Sequence, residues 1–125
     1  MPKPLMKNKI LLIVDHSFFI IERITVILNE AGTVEKIFTA TDYANAVKCL
    51  QENKIGIVLM DIELTDKTGI ALLKLITGDY PEIKTVVLSN QVSEYYRKLC
   101  TGMGATFFID KSKDFDKIPG IVASL

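Results

Sequence analysis

The sequence lacks net charge. Fifteen Lys and Arg are matched by fifteen Asp and Glu over 125 residues, and no basic run stands out. That argues against a general nucleic-acid binder. Long apolar runs are missing too. The longest are about five residues (Ile10 to Val14 is one), far short of the roughly 18 needed to span a membrane. Glycine and proline are few, 7 and 4 with no repeat, which excludes collagen-like and low-complexity chains. Cysteine is scarce. Cys49 and Cys100 form no CxxC and have no histidine nearby, so they read as small apolar residues on helices. The basic start at 1–9 leads into an apolar stretch that Asp15 ends after five residues. A secretory signal needs roughly 7–15, so a cytoplasmic protein is expected.

What remains is an ordinary globular composition, 49% hydrophobic and 24% charged. The length suits one domain, able to bury roughly two-thirds of its unfolded surface without disulfide or metal. Five short apolar runs alternate with helical stretches. The first strand is expected at 9–15. Its apolar residues are continuous, as in a parallel strand buried on both faces. Ser17 can cap a helix carrying Phe18, Ile21, Ile24 and Leu28 at helical spacing, closed by Gly32. Further strands are expected at 34–39, 55–60 running to Asp61, 85–88 running to Ser89, and 106–109. The intervening helices are expected from Thr41 or Asp42 to about 53, at 70–77, at 92–99 and at 114–125. Gly78, Asp79 and Pro81 read as breakers, and Pro119 delays or kinks the last helix. Met60 and Met103 read as core filler. Strands alternating with helices give a parallel sheet covered on both faces. Such doubly wound α/β sheets place their sites at the carboxyl ends of the strands.

Four strand ends carry chemically capable residues: Asp15, Asp61, Ser89 and, just beyond the fifth strand, Lys111. Two facing carboxylates repel unless a cation sits between them. A hard divalent ion with oxygen ligands fits, magnesium above all where phosphate is handled. Lys111 adds a fixed positive charge and Ser89 a hydroxyl donor. Together they outline a phosphoryl pocket. A carboxylate there can itself be the nucleophile, and Asp61, central in the sheet, is best placed.

In order and spacing, Ile-Leu-Leu-Ile-Val-Asp-His (10–16), Ile-Val-Leu-Met-Asp-Ile-Glu-Leu (57–64), Thr-Gly-Ile (68–70), Val-Val-Leu-Ser (86–89) and Gly-Ala-Thr-Phe-Phe-Ile-Asp-Lys (104–111) resemble a response-regulator receiver domain of two-component signalling. The resemblance implies a (βα)5 flavodoxin-like sheet of order 2-1-3-4-5 over residues 9–125, with 1–8 as an N-terminal extension. It makes Asp61 the phosphoacceptor, Asp15 a magnesium residue, and the Glu63 carbonyl a metal ligand. Ser89 and Phe108 become switch residues, and Lys111 contacts the phosphoryl group. Glu63 and Gln91 become the side chains that tune phosphoryl lifetime. The implied cofactor is Mg2+, with Mn2+ as an alternative. The implied partners are a histidine kinase or phosphotransfer protein, and a downstream protein on the face of the fourth helix, fifth strand and fifth helix. Tyr95 and Tyr96 would lie on that face. No nucleic acid, membrane or external substrate is implied; the domain would catalyse only its own phosphorylation and dephosphorylation.

The chief departure is His16, where a second acid is usual. Neutral imidazole is a poor magnesium ligand. Thr65 and Ser112 stand where proline is frequent, and Phe108 lacks the hydroxyl a tyrosine would bring. One rival is a degenerate receiver that binds partners without phosphorylation. Another is a phosphatase-like hydrolase, from the loose DxDxT echo at Asp61-Ile-Glu-Leu-Thr65; Glu63 replaces its second Asp, and 125 residues leave no room for a cap domain.

Overall fold

The computed structural model describes residues 9–64, 66–90 and 94–125. Five strands form one sheet: β1 (Ile10–Val14), β2 (Lys36–Ala40), β3 (Ile57–Asp61), β4 (Lys84–Ser89) and β5 (Phe107–Asp110). All pairings are parallel, in the order β2-β1-β3-β4-β5. The helices between them are α1 (Phe18–Ala31), α2 (Tyr43–Glu52), α3 (Gly69–Asp79), α4 (Glu94–Gly102) and, after β5, α5 (Ile118–Ser124). Among the described residues no helix is long and apolar enough to cross a membrane.

The continuous apolar strands divide by side-chain alternation between two cores. Leu12, Val14, Val58, Met60, Val87 and Phe108 pack with Ala46, Leu50, Leu72, Leu73, Ile76 and Cys100, the residues of α2, α3 and α4. Leu11, Ile13, Ile57, Leu59, Val86, Leu88 and Ile109 pack with Ile21, Ile24, Leu28, Ile118 and Val122 on α1 and α5. Burying each Val, Leu, Ile, Phe or Met among them contributes about 1.5–3 kcal/mol. The central strands are therefore pinned from both faces, and their carboxyl ends make a firm platform.

Local chemistry sets the helix starts. The Ser17 hydroxyl accepts from Ile20 N, Asp42 from Asn45 N and Thr68 from Ala71 N. Gly32 closes α1 at φ 69°, a left-handed position that glycine fills without strain. The Lys9 ammonium donates to the Ala123 and Leu125 carbonyls, 3.3 and 3.2 Å away, at the end of α5.

Several boundaries differ from expectation. β2, an edge strand, begins at Lys36 and runs on to Ala40, where it meets Val14. β3 begins at Ile57 and β5 at Phe107. α3 continues through Gly78 and Asp79 instead of stopping at 77. Glycine costs a helix only about 1 kcal/mol, which packing of the preceding turns overrides. α4 runs on to Gly102; residue 92, its expected start, lies outside the described residues. The last helix is short: Phe115–Lys117 form a 3-10 turn, and Pro119 sits in the first turn of α5. There its missing N–H costs nothing. Met60 is buried, while Met103 is only partly covered.

Candidate functional site

β1 and β3 are neighbours, and their connections leave to opposite sides of the sheet. A crevice opens at that reversal. Asp15 follows β1, and its N–H still bonds to the Ala40 carbonyl, 3.1 Å away, so the strand geometry carries through it. Asp61 is the last residue of β3. Both carboxylates are almost completely buried, at 0% and 2% exposure.

One lysine serves both. Lys111 Nζ lies 2.6 Å from Asp15 Oδ2 and 3.1 Å from Asp61 Oδ2, on a side chain that is itself 5% exposed. Its backbone is held from two sides. Lys111 N donates to the Ser89 carbonyl at 2.9 Å, extending the β4–β5 ladder. Just before it, the Asp110 carboxylate accepts from the Ser112 hydroxyl at 2.7 Å and the Ser112 N–H at 2.9 Å. Those bonds, the hydroxyl first, hold the Asp110 carboxyl below its ordinary range. Ser112 thus fixes the turn where the resemblance leads one to expect proline.

Burial pushes the Asp15 carboxyl up; the Lys111 hydrogen bond and the Ser17 N–H, 2.8 Å from Asp15 Oδ1, pull the other way. Asp61 divides its oxygens. Oδ1 accepts from Glu63 N at 3.1 Å. Oδ2 faces Lys111 and, at 2.8 Å, His16 Nδ1. The same nitrogen is 3.1 Å from the Glu63 carbonyl oxygen. A carbonyl can only accept, so Nδ1 carries the hydrogen and donates. Asp15, His16 and Asp61 each offer one ligand atom within 4.8 Å of the others. The oxygens fit a hard divalent cation. Nδ1, as placed, is a donor and not a ligand.

Ser89 ends β4, fully buried. It stands one residue beyond Leu88, the register partner of Asp61. Phe108 is buried on β5, with the Arg97 guanidinium 5.1 Å above its ring and donating to its carbonyl at 3.2 Å. The Glu63 side chain is exposed. Gln91 and Thr65 lie outside the described residues. Sequence reading thus placed Asp15, His16, Asp61, Glu63 and Lys111 in what proves to be one cluster. It missed Asp110, although an Asp two residues before a Ser is a local turn signal. It also missed Asp66, whose carboxylate accepts from Tyr43 N and Ala44 N at 2.8 and 3.0 Å and ties the loop after Asp61 to α2. Nothing local reveals bonds across 23 and 22 residues. Glu63, Ile62, Leu64, Thr68, Ile70 and Tyr96 line a cleft of about 240 Å³ beside the site.

The model of the response regulator receiver domain family matches residues 11–123. The chain belongs to that family. A transcriptional regulatory protein DegU from Brevibacillus brevis is 29% identical over 112 residues, 90% of this chain and 47% of that protein. The chain spans about half the length of the curated relatives it matches. Among solved structures, the signal receiver domain of a NarL response regulator from Mycobacterium tuberculosis superposes with a TM-score of 0.86. It covers 95% of this chain and 96% of that one at 16% identity. A response regulator from Burkholderia pseudomallei, solved with a phosphorylated aspartic acid, calcium ion and citrate, gives a TM-score of 0.79 at 19% identity. It covers 89% and 64% of the two chains. As a receiver domain, the chain is of the two-component response-regulator kind, and its five-stranded order is that of the fold.

Proposed function

We propose that this receiver domain accepts a phosphoryl group on Asp61. The observation that carries the reading is a buried carboxylate at the end of a central strand, faced by a buried ammonium 3.1 Å away. An Asp61 carboxylate oxygen attacks phosphorus; the new O–P bond forms as the P–N bond to a phosphohistidine donor breaks and the imidazole leaves. Lys111 offsets charge on the phosphoryl oxygens, and Ser89 donates a hydrogen bond to them. Mg2+, or Mn2+ in its place, neutralises phosphoryl charge when bound, and Asp15, Asp61 and the Glu63 carbonyl would hold it. Water later attacks phosphorus and breaks the same O–P bond, so the group turns over on the domain itself and no external substrate is converted. Glu63 and Gln91 set that rate.

The donor is a histidine kinase or phosphotransfer protein in the cytoplasm. Phe18 and Phe19, 64% and 66% exposed on the first turn of α1 next to His16, supply apolar surface for it. Output passes through the α4–β5–α5 face. Tyr95 and Phe107 are exposed there, and Phe108 lies beneath. Tyr96 reaches the cleft beside Glu63, so this face touches the acceptor loop.

The test is intact mass after acetyl phosphate treatment, with Mg2+ and separately with Mn2+. The parent gains the mass of one phosphoryl group, and Asp61→Asn gains none. Equal labelling of both proteins refutes the assignment.

A further inference from the structure

We propose that the His16 imidazole occupies the cation's place, so that a divalent ion enters only when the ring swings out. Three oxygens converge on His16 Nδ1: Asp61 Oδ2 at 2.8 Å, the Glu63 carbonyl at 3.1 Å and Asp15 Oδ1 at 3.7 Å. Two carboxylates and a backbone carbonyl aimed at one point are the donor set of a hard cation. Here the point is held by an N–H. That hydrogen is required by the carbonyl, which cannot donate, so the Nδ1 lone pair is not available to a metal.

Ring and ion exclude each other. Magnesium needs its oxygens at about 2.0–2.1 Å, within space the ring nitrogen now fills. The ring is free to leave. The His16 side chain is 43% exposed, so rotation about χ1 carries it to solvent without opening either core, and such exposed rotamers exchange quickly. His16 therefore does more than withhold an acidic ligand. It stands in the ion's place, donating a hydrogen bond to Asp61 from one side while the Lys111 ammonium pairs with the same carboxylate from the other.

The two roles predict opposite effects of truncation. If His16 were only a missing ligand, His16→Ala would bind metal no better than the parent. As a competitor, its removal tightens binding on the order of tenfold, the scale of one lost charge-assisted hydrogen bond. His16→Asp tightens it at least as much by adding an oxygen.

The inference rests on the metal-assisted phosphoacceptor reading. Mn2+ titration of the full chain, followed by loss of the free-ion EPR signal, separates the two, with parent, His16→Ala and His16→Asp compared. Mg2+ titration of the parent is followed by NMR of its single histidine. The expected result is tighter Mn2+ binding by His16→Ala, and loss of the hydrogen-bonded Nδ1–H signature as Mg2+ saturates the parent. If His16→Asp binds tightly while His16→Ala binds no better than the parent, the competitor role is wrong and the metal site stands. If neither variant binds Mn2+, both readings fall.

Discussion

Replacing Lys111 by Met removes one buried charge and keeps an apolar stem of similar length. In the parent, Nζ sits 2.6 Å from Asp15 Oδ2 and 3.1 Å from Asp61 Oδ2, with all three side chains nearly inaccessible. Removing one partner of a buried ion pair costs about 3–5 kcal/mol, because the survivor remains charged and desolvated. Here Asp61 Oδ2 still has His16 Nδ1 at 2.8 Å, whereas Asp15 keeps the Ser17 N–H at 2.8 Å and has His16 Nδ1 no nearer than 3.7 Å. One carboxylate is stranded rather than two, so the lower end, about 3 kcal/mol, is expected at pH 7.5 without metal.

The loss also has a pH signature. Burial already raises the Asp15 carboxyl, and the Lys111 contact opposes that rise. Without Lys111 it rises further. A carboxyl raised in the folded state binds protons more readily there than when unfolded, so stability recovers as pH falls through the folded value. Urea unfolding followed by circular dichroism suits a chain without tryptophan. The deficit should shrink on moving from pH 7.5 to 5. A deficit under about 1 kcal/mol at pH 7.5, or one that does not change with pH, would refute the picture of a lysine holding two desolvated acids.

Asp15→Asn differs, because Lys111 keeps Asp61 at 3.1 Å and the charge removed is one that burial and Asp61 disfavour; it should stabilise metal-free protein by about 1 kcal/mol or about 4 °C in Tm, and a lower melting temperature would count against it. Gly69→Ala should destabilise by about 3 kcal/mol or more, because a Cβ there would overlap the Asp61 carbonyl oxygen and Ile62 Cα; urea midpoints of variant and parent check this. Glu63→Ala combined with Gln91→Ala should change the half-life of the phosphorylated domain, read by intact mass over time, without moving the melting temperature. An unchanged half-life would mean neither side chain meets the attacking water.

The sequence by itself determined the alternation of apolar strands with helices. It also determined the caps at Ser17 and Asp42, and which residues stand at the strand ends. These follow from spacing within a few residues, where side-chain period and burial are tightly linked. It left the ends of elements loose. Whether Gly78 ends α3 or rides within it, and whether Pro119 breaks a helix or opens one, depends on packing from elsewhere in the chain. The chemistry of His16 was beyond local reading altogether. Its type said only that an acid is absent; that its ring reaches Asp61, 45 residues away, and the Glu63 carbonyl, 47 away, follows from the β1–β3 pairing. The same holds for the lysine shared by Asp15 and Asp61 and for the Asp66 bridge to α2. Strand order set these partners side by side, and only a folded sheet fixes which nitrogen faces which oxygen.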